Sequence, residues 1–178
     1  MRPLYEAESP DELALVDAAA AYNCKLMSRS PDKVVVNLPT EGIVEYQVLH
    51  VLPFDSTRKR MSILVKHPFS REIILYCKGA DSAIMERLEE SDDPEELAVR
   101  EKTTQNLTTY AKQGLRILVM AKRVISKSDY KIWLEKHTAA ENSIRGREKL
   151  LEESFDRIER EMTLIGASGI GNNNKKEA

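Results

Sequence analysis

The sequence predicts an α+β fold in which helices flank a mostly antiparallel, twisted sheet of about six to seven strands. Several strand patterns are neighbours along the chain, a hairpin-length connection joins two of them, and the helical patterns are segregated from the strands. The 178 residues are 42% hydrophobic and 31% charged, as in an ordinary globular domain. We therefore expect a single domain over residues 1–170 and a flexible polar tail over residues 171–178.

The first predicted helix begins at Ser9. This serine can act as the N-cap, Pro10 suits the first helical position, and Glu12 stands three residues after the cap, as in a capping box. The alanine-rich run from Leu13 to Tyr22 then favours propagation of the helix.

Seven short runs predict strands, and the clearest of them nearly alternates polar and apolar residues between Ile43 and Leu52. The connection His67–Arg71 is short enough for a hairpin between two of these runs. The predicted strands are Lys25–Arg29, Val34–Val36, Ile43–Leu52, Met61–Lys66, Glu72–Lys78, Leu115–Val124 and Thr163–Ala167.

Four further helices are predicted after the first. One of them should end at Gly114 in the C′ position. The last has an apolar face made by Leu151, Phe155, Ile158 and Met162 at helical spacing. The predicted helices are Ser82–Glu89, Pro94–Gln113, Asp129–Ala140 and Arg145–Met162.

Charge and composition argue against several classes of function. A net charge of −2 is unlike the basic surplus of nucleic-acid modules, and no apolar run approaches the roughly 18 residues of a membrane span. Cys24 and Cys77 lack metal-ligand spacing and fit two unpaired thiols in a reducing compartment. The three histidines are scattered, and no nucleophile–base arrangement is legible. We therefore predict no metal site and no catalytic residue in this chain, and neither nucleic acid nor direct membrane contact as a partner.

An aromatic residue followed by three cations is the first candidate for ligand binding. Phe54 could stack on a purine, or it could pack in the core, where phenylalanine is usually buried. In the run Arg58–Arg60, strand parity places Lys59 on the face of the apolar run that starts at Met61, where it could reach phosphate. The flanking arginines would point the other way, and the alternative for the whole run is a solvated charge cluster.

Other candidate residues have an ordinary structural alternative as well. Lys78 offers a compact charge for phosphate and Gly79 an open backbone, but both also fit a simple strand end with a turn. Glu12 could accept a hydrogen bond from an exocyclic amine, although the capping box already explains it. Arg116 could pair with phosphate oxygens or be a surface arginine.

Four segments, taken together and in this order, resemble the nucleotide-binding (N) domain of P-type ATPases, and most closely the P4 group of phospholipid-translocating flippases. The resemblance runs from about Tyr5 to Ile170 and implies the N-domain fold. The segments are Tyr5–Glu12, Phe54–Ser62, Lys78–Asp81 and Gly114–Arg116.

The resemblance implies a role for each matching residue. Phe54 would stack on adenine and Glu12 would contact the adenine amino group. Lys78 would line the pocket near adenine and the phosphates, and Gly79 would shape its wall. The remaining nucleotide-binding residues implied are Ser56 and Met61 as pocket lining and Lys59 and Arg116 near the phosphates.

At the level of the parent protein, the resemblance implies an ATP-dependent phospholipid translocase. This domain would present the γ-phosphate of ATP to an aspartate on a domain outside this chain, because the Asp-Lys-Thr-Gly phosphorylation motif is absent here. The parent would use Mg²⁺, whose ligands also lie elsewhere. The implied partners are the phosphorylation and actuator domains and an accessory subunit, and the implied location is the cytosolic side of an integral membrane protein.

Two expectations concern the isolated chain. It should be a monomer that binds nucleotide without turnover. The alternative is a protein-interaction or regulatory module that binds no nucleotide and docks through the charged helices between Asp129 and Met162.

Overall fold

The computed structural model describes residues 5–171 and places seven strands in one antiparallel sheet. The strands are hydrogen-bonded in the order in which they occur along the chain, from β1 to β7. They are β1 (Lys25–Arg29), β2 (Lys33–Leu38), β3 (Gly42–Asp55), β4 (Arg60–Lys66), β5 (Ile73–Gly79), β6 (Arg116–Ile125) and β7 (Thr163–Ile170).

Five helices accompany the sheet in the described part of the chain. The first is capped as the sequence predicts, since the Ser9 hydroxyl accepts a hydrogen bond of 3.2 Å from the backbone N–H of Glu12. Gly114 follows the third helix with a φ of +66°, the left-handed conformation expected of a C′ glycine. The helices are α1 (Pro10–Ala21), α2 (Asp81–Met85), α3 (Pro94–Lys112), α4 (Lys127–Glu141) and α5 (Arg147–Ile158).

The main hydrophobic core lies between one face of the sheet and helices α2 to α5. Strands alternate their side chains, so Leu64 of β4 and Leu75 of β5 point into this core and are fully buried. Trp133 of α4 and Ile158 of α5 cover them from the helix side. On the other face, Val48 and neighbouring apolar residues form a smaller cluster.

Two predicted helices end earlier than the sequence pattern indicates. Helix α2 stops at Met85 and α5 at Ile158, because the segments that follow them pair with each other. Leu88 and Met162 form a parallel bridge, in which the Glu89 N–H donates to the Met162 carbonyl at 2.9 Å. Met162 is fully buried as predicted, but it lies in this bridge and not on a helix.

The predicted fold class and all seven strands and five helices are therefore confirmed within residues 5–171. The predicted strand ends shift by a few residues. The largest extension is in β3, which continues to Asp55 and includes Phe54. Of the predicted polar tail, residues 172–178 lie outside the described residues.

Candidate functional site

The predicted site residues of four adjacent strands lie at one end of the sheet. Met61 of β4 is paired with Lys78 of β5, which is paired in turn with Met120 of β6. Phe54 lies near the end of β3, which runs beside β4, and Arg116 begins β6. Neighbouring strands are about 4.8 Å apart, so these positions span three strand spacings at the same end of the sheet.

A groove of about 260 Å³ opens on the face of the sheet opposite the main core. Of the predicted residues, Met61 and Lys78 line it. Arg29 of β1 and Ile165 of β7 also line it, although these strands are at opposite edges of the sheet, so the sheet must curl around the groove. The other side chains on this face are Val51, Ile63, Tyr76 and Met120.

The groove combines an apolar floor with cations and one aromatic residue. Tyr76 stands two residues before Lys78 on β5 and therefore points to the same face. Burial raises the pKa of the Tyr76 hydroxyl, with a further contribution from Glu41, so the phenol stays protonated at neutral pH. Sequence analysis missed Arg29, Tyr76 and Met120. Strand alternation around Lys78 could have identified Tyr76, whereas Arg29 and Met120 depend on strand pairing and curl.

Phe54 is 63% exposed, so its ring is not packed in the core. The alternative of core packing is therefore wrong for this residue. Phe54 is not among the residues that line the groove. It lies where the pairing of β3 with β4 is irregular, between the pairs Leu52–Ser62 and Asp55–Arg60.

Lys59 lies in a tight turn just before β4, and it has a φ of +56°. The Asp55 carboxylate accepts hydrogen bonds from the backbone of Thr57 at 2.7 Å and of Arg58 at 2.9 Å, and these bonds lower the pKa of Asp55. The Lys59 N–H donates to the Asp55 carbonyl at 2.7 Å. The expectation from strand parity is wrong, because Lys59 is outside the strand; its side chain is nevertheless exposed, as is that of Ser56 in the same turn.

A glycine is required at position 79 because the turn that contains Lys59 packs directly against the backbone there. A Cβ atom at residue 79 would lie 2.4 Å from the carbonyl oxygen of Lys59 and 2.7 Å from Cβ of Arg60. The next residue, Ala80, donates its N–H to that same Lys59 carbonyl at 3.0 Å. The absent side chain thus admits protein backbone, and this packing explains the glycine without any ligand.

Of the two arginines that flank Lys59, Arg60 is buried and the Arg58 side chain is only 8% exposed, so the alternative of a solvated charge cluster is wrong for them. Both point to the helix side of the sheet, although only Arg60 lies in the strand, and both pair there with Glu159, whose side chain is fully buried. Arg58 Nη2 lies 3.1 Å from Glu159 Oε1, and Arg60 Nε donates to Oε2. Ser62 donates to Oε1 at 2.8 Å. Sequence analysis missed Glu159 because it lies about a hundred residues away along the chain.

Helix α1 meets the start of β6 through an ion pair. Arg116 donates from Nε to the Asp11 carboxylate at 3.2 Å, and a second bond joins its Nη2 to the same group. Both side chains are nearly half exposed. Glu12 follows Asp11 in the first turn of α1, so this pair places the predicted adenine contact and the predicted phosphate contact close together in space.

Comparison with known proteins identifies the family of this chain. The protein-family sequence model for the cytoplasmic domain N of P-type ATPases matches residues 6–177. The chain belongs to this N-domain family. It is also 52% identical over 172 residues to phospholipid-transporting ATPase VD from Macaca fascicularis. This alignment covers 93% of this chain and 26% of that protein. The predicted resemblance to the N domain of the P4 group is confirmed.

More distant relatives carry the same kind of name. Phospholipid-transporting ATPase VA from Homo sapiens is 48% identical, over 93% of this chain and 11% of that protein. Phospholipid-transporting ATPase DRS2 from Saccharomyces cerevisiae is 41% identical, over 93% of this chain and 12% of that protein. The chain thus spans between about a tenth and a quarter of the length of these relatives. None of the helices within residues 5–171 is both long and apolar enough to cross a membrane.

Proposed function

We propose that this N domain binds ATP at the end of the sheet where Phe54, Lys59, Lys78 and Arg116 lie. The observation that carries the proposal is the exposure of Phe54 beside a groove that contains Lys78 and Met61. An exposed ring has a free face for a purine, and base–aromatic stacking contributes roughly 1–3 kcal/mol.

Recognition of the base would use the groove and the first turn of α1. Met61 offers a polarisable apolar surface, and the stem of Lys78 can pack along a base while its ammonium stays in solvent. Glu12 has a carboxylate that could accept a hydrogen bond from the adenine amino group, because the N-cap bond to Ser9 uses only its backbone N–H.

Recognition of the phosphates would use the exposed cations at the same sheet end. Lys59 has an exposed side chain just before β4, and Lys78 reaches the edge of the groove. Arg116 would exchange part of its pairing with Asp11 for phosphate oxygens, which costs little because an exposed ion pair contributes about 0–1 kcal/mol. Ser56 and Gly79 belong to the backbone framework that brings these cations together.

In the parent protein, the domain would present the γ-phosphate to an aspartate on the phosphorylation domain and so drive phospholipid movement between leaflets. Its contribution to that step is positioning and charge neutralisation. The magnesium ligands would lie on another domain of the parent, as the family resemblance implies. The proposed location is the cytosolic side of the parent, beside its actuator domain and an accessory subunit.

The test is a titration of the ¹⁵N-labelled chain with ATP, followed by NMR. Because the chain offers only part of the phosphate contacts, we expect a Kd between about 0.1 and several mM. The largest shifts should occur at Phe54, Lys59 and Lys78, and the amides of the distant hairpin 67–71 should not move. No hydrolysis should accompany binding. Unchanged spectra at several millimolar ATP would remove the proposal.

The alternative of an interaction module without nucleotide depends on the opposite arrangement. It would be favoured if Phe54 were a core residue and the Lys59 and Lys78 side chains pointed apart. Phe54 is exposed, and the turn that holds Lys59 adjoins the end of β5 that holds Lys78, because the Ala80 N–H donates to the Lys59 carbonyl. No contact in the described residues favours the helices α4 and α5 as a docking face over an ordinary solvated surface.

A further inference from the structure

Glu159 forms the centre of a buried ionic cluster directly behind the candidate phosphate site. Its side chain is 0% exposed and receives hydrogen bonds from Arg58, Arg60 and Ser62. A lone carboxylate at such a position would be strongly unfavourable, so the two guanidinium groups and the hydroxyl together satisfy it. The cluster therefore connects the end of α5 to the beginning of β4.

The sequence positions of these partners give the cluster its significance. Arg58 and Arg60 are the immediate neighbours of Lys59, and both side chains point to the helix side of the sheet. Lys59 between them has an exposed side chain and the left-handed backbone conformation that non-glycine residues seldom adopt. Such a conformation persists only where the surroundings determine it.

Charge explains why the anion is needed for this arrangement. Three consecutive cations repel one another, and two of them are nearly buried, with exposed fractions of 8% for Arg58 and 4% for Arg60. Burial lowers the pKa of Arg58, and the Glu159 carboxylate opposes that shift. The Arg58 guanidinium also lies 4.8 Å from the centre of the Phe155 ring on α5. Asp156, whose side chain is 34% exposed, also lies 3.4 Å from Arg60, but it does not replace the fully buried Glu159 carboxylate that both arginines share. Without Glu159, Arg58 would gain by moving to solvent, and the turn that holds Lys59 would move with it.

We propose that Glu159 is a positioning residue for nucleotide phosphates: by anchoring Arg58 and Arg60 behind the sheet, it holds Lys59 at the edge where the phosphates bind. The inference rests on the proposed function, in which Lys59 contacts phosphate. Glu159 itself touches no ligand. Its effect should therefore fall on the phosphate part of the nucleotide and spare the base.

The decisive experiment compares ATP and adenosine binding in wild type and Glu159→Gln by NMR titration. We expect the affinity for ATP to fall about two- to fivefold, while adenosine affinity stays within about 1.5-fold. The direction is diagnostic, because removing a negative charge near the site would by simple Coulomb attraction strengthen ATP binding. The matched control is Glu152→Gln, which makes the same charge change at an exposed position of α5 and should alter neither affinity.

A second variant keeps the proposal testable if Glu159→Gln does not fold. Glu159→Asp retains the charge but shortens the side chain, so it cannot hold both arginines in the same geometry. It should also weaken ATP and not adenosine. Unchanged or tighter ATP binding, or an equal loss for both ligands, would overturn the positioning role.

A separate measurement distinguishes failure of this inference from failure of the proposed function. Amide hydrogen exchange reports the turn without any ligand, through the N–H of Lys59 and the N–H of Ala80 that donates to the Lys59 carbonyl. Both amides should exchange faster in the Glu159 variants than in Glu152→Gln. If wild type binds neither ligand, the proposed function fails; unchanged exchange in the Glu159 variants shows that Glu159 does not hold the turn.

Discussion

Around the start of β4, the positive charges on the two faces of the sheet differ in burial and in ion pairing. On the helix side, Arg60 is buried and Arg58 nearly so, and both pair with Glu159, while Asp156 lies 3.4 Å from Arg60 as a second anion. On the groove side, Lys78 lies at an open edge, and Lys59 is exposed in the adjoining turn. The difference teaches that a run of like charges is not one functional unit. Two of its members stabilise the fold, and only the third remains available to a ligand.

The largest expected effect is the loss of unfolding free energy when the buried Glu159 carboxylate is removed. Glu159→Gln removes the carboxylate that Arg58 and Arg60 share and leaves Arg60 with its second carboxylate partner, Asp156, at 3.4 Å. Breaking a buried ion pair typically destabilises a protein by about 3–5 kcal/mol. Urea unfolding followed by circular dichroism measures this loss. Glu152→Gln should stay within about 0.5 kcal/mol of wild type. A loss below about 1 kcal/mol in Glu159→Gln would mean that the cluster is not a structural anchor.

The next effect concerns the contact that joins the turn to β5. Gly79→Ala forces a methyl group against the Lys59 carbonyl, and such overpacking commonly costs about 1–3 kcal/mol. Thermal unfolding should show a lower Tm. Gly171→Ala is the matched control, since its Cβ would meet the nearest atom at an ordinary 3.7 Å. Equal Tm values for the two variants would show that the turn yields easily.

The role of the exposed groove side in ATP binding is tested by removing the Phe54 ring. Phe54→Ala should weaken ATP binding by about 1–3 kcal/mol if stacking on adenine dominates. Titration calorimetry or NMR gives the affinity. Phe69→Ala removes an equally exposed ring, 71% exposed in the hairpin 67–71, and should leave ATP affinity unchanged. Equal losses in both variants would indicate nonspecific contact with the nucleotide.

The smallest expected effect is the loss of unfolding free energy when the exposed ion pair between Asp11 and Arg116 is removed. Asp11→Asn removes the exposed partner of Arg116, and pairs of this kind contribute about 0–1 kcal/mol. Urea unfolding at low and high salt should show a small loss that shrinks further as salt screens the charges. A loss as large as that of Glu159→Gln would erase the distinction between the two sites.

Local sequence patterns predicted the fold because its determinants are local. Alternation within strands, the Ser9 cap and the Gly114 stop each act within a few residues. The errors occurred where distant segments meet. The helix predicted to continue to Met162 ends early because Leu88, 74 positions before it, pairs with it.

The candidate site follows the same rule. Strand parity correctly placed Arg60 behind the sheet, but it failed for Lys59, whose left-handed turn depends on Asp55 and on the Gly79 contact. Phe54 lies at an irregular strand pairing, which strand alternation alone does not predict. Glu159 has no motif of its own and acquires its role only when α5 packs on the sheet.

The order of the strands has a consequence for how the domain folds. Since each strand pairs with its neighbour in sequence, most of the sheet can grow by closing short loops, which is kinetically fast. The contact between Arg58 and Glu159 instead closes a loop of 101 residues. Formation of the meander should therefore precede closure of this long loop, and the left-handed turn should acquire its final rigidity among the last events of folding.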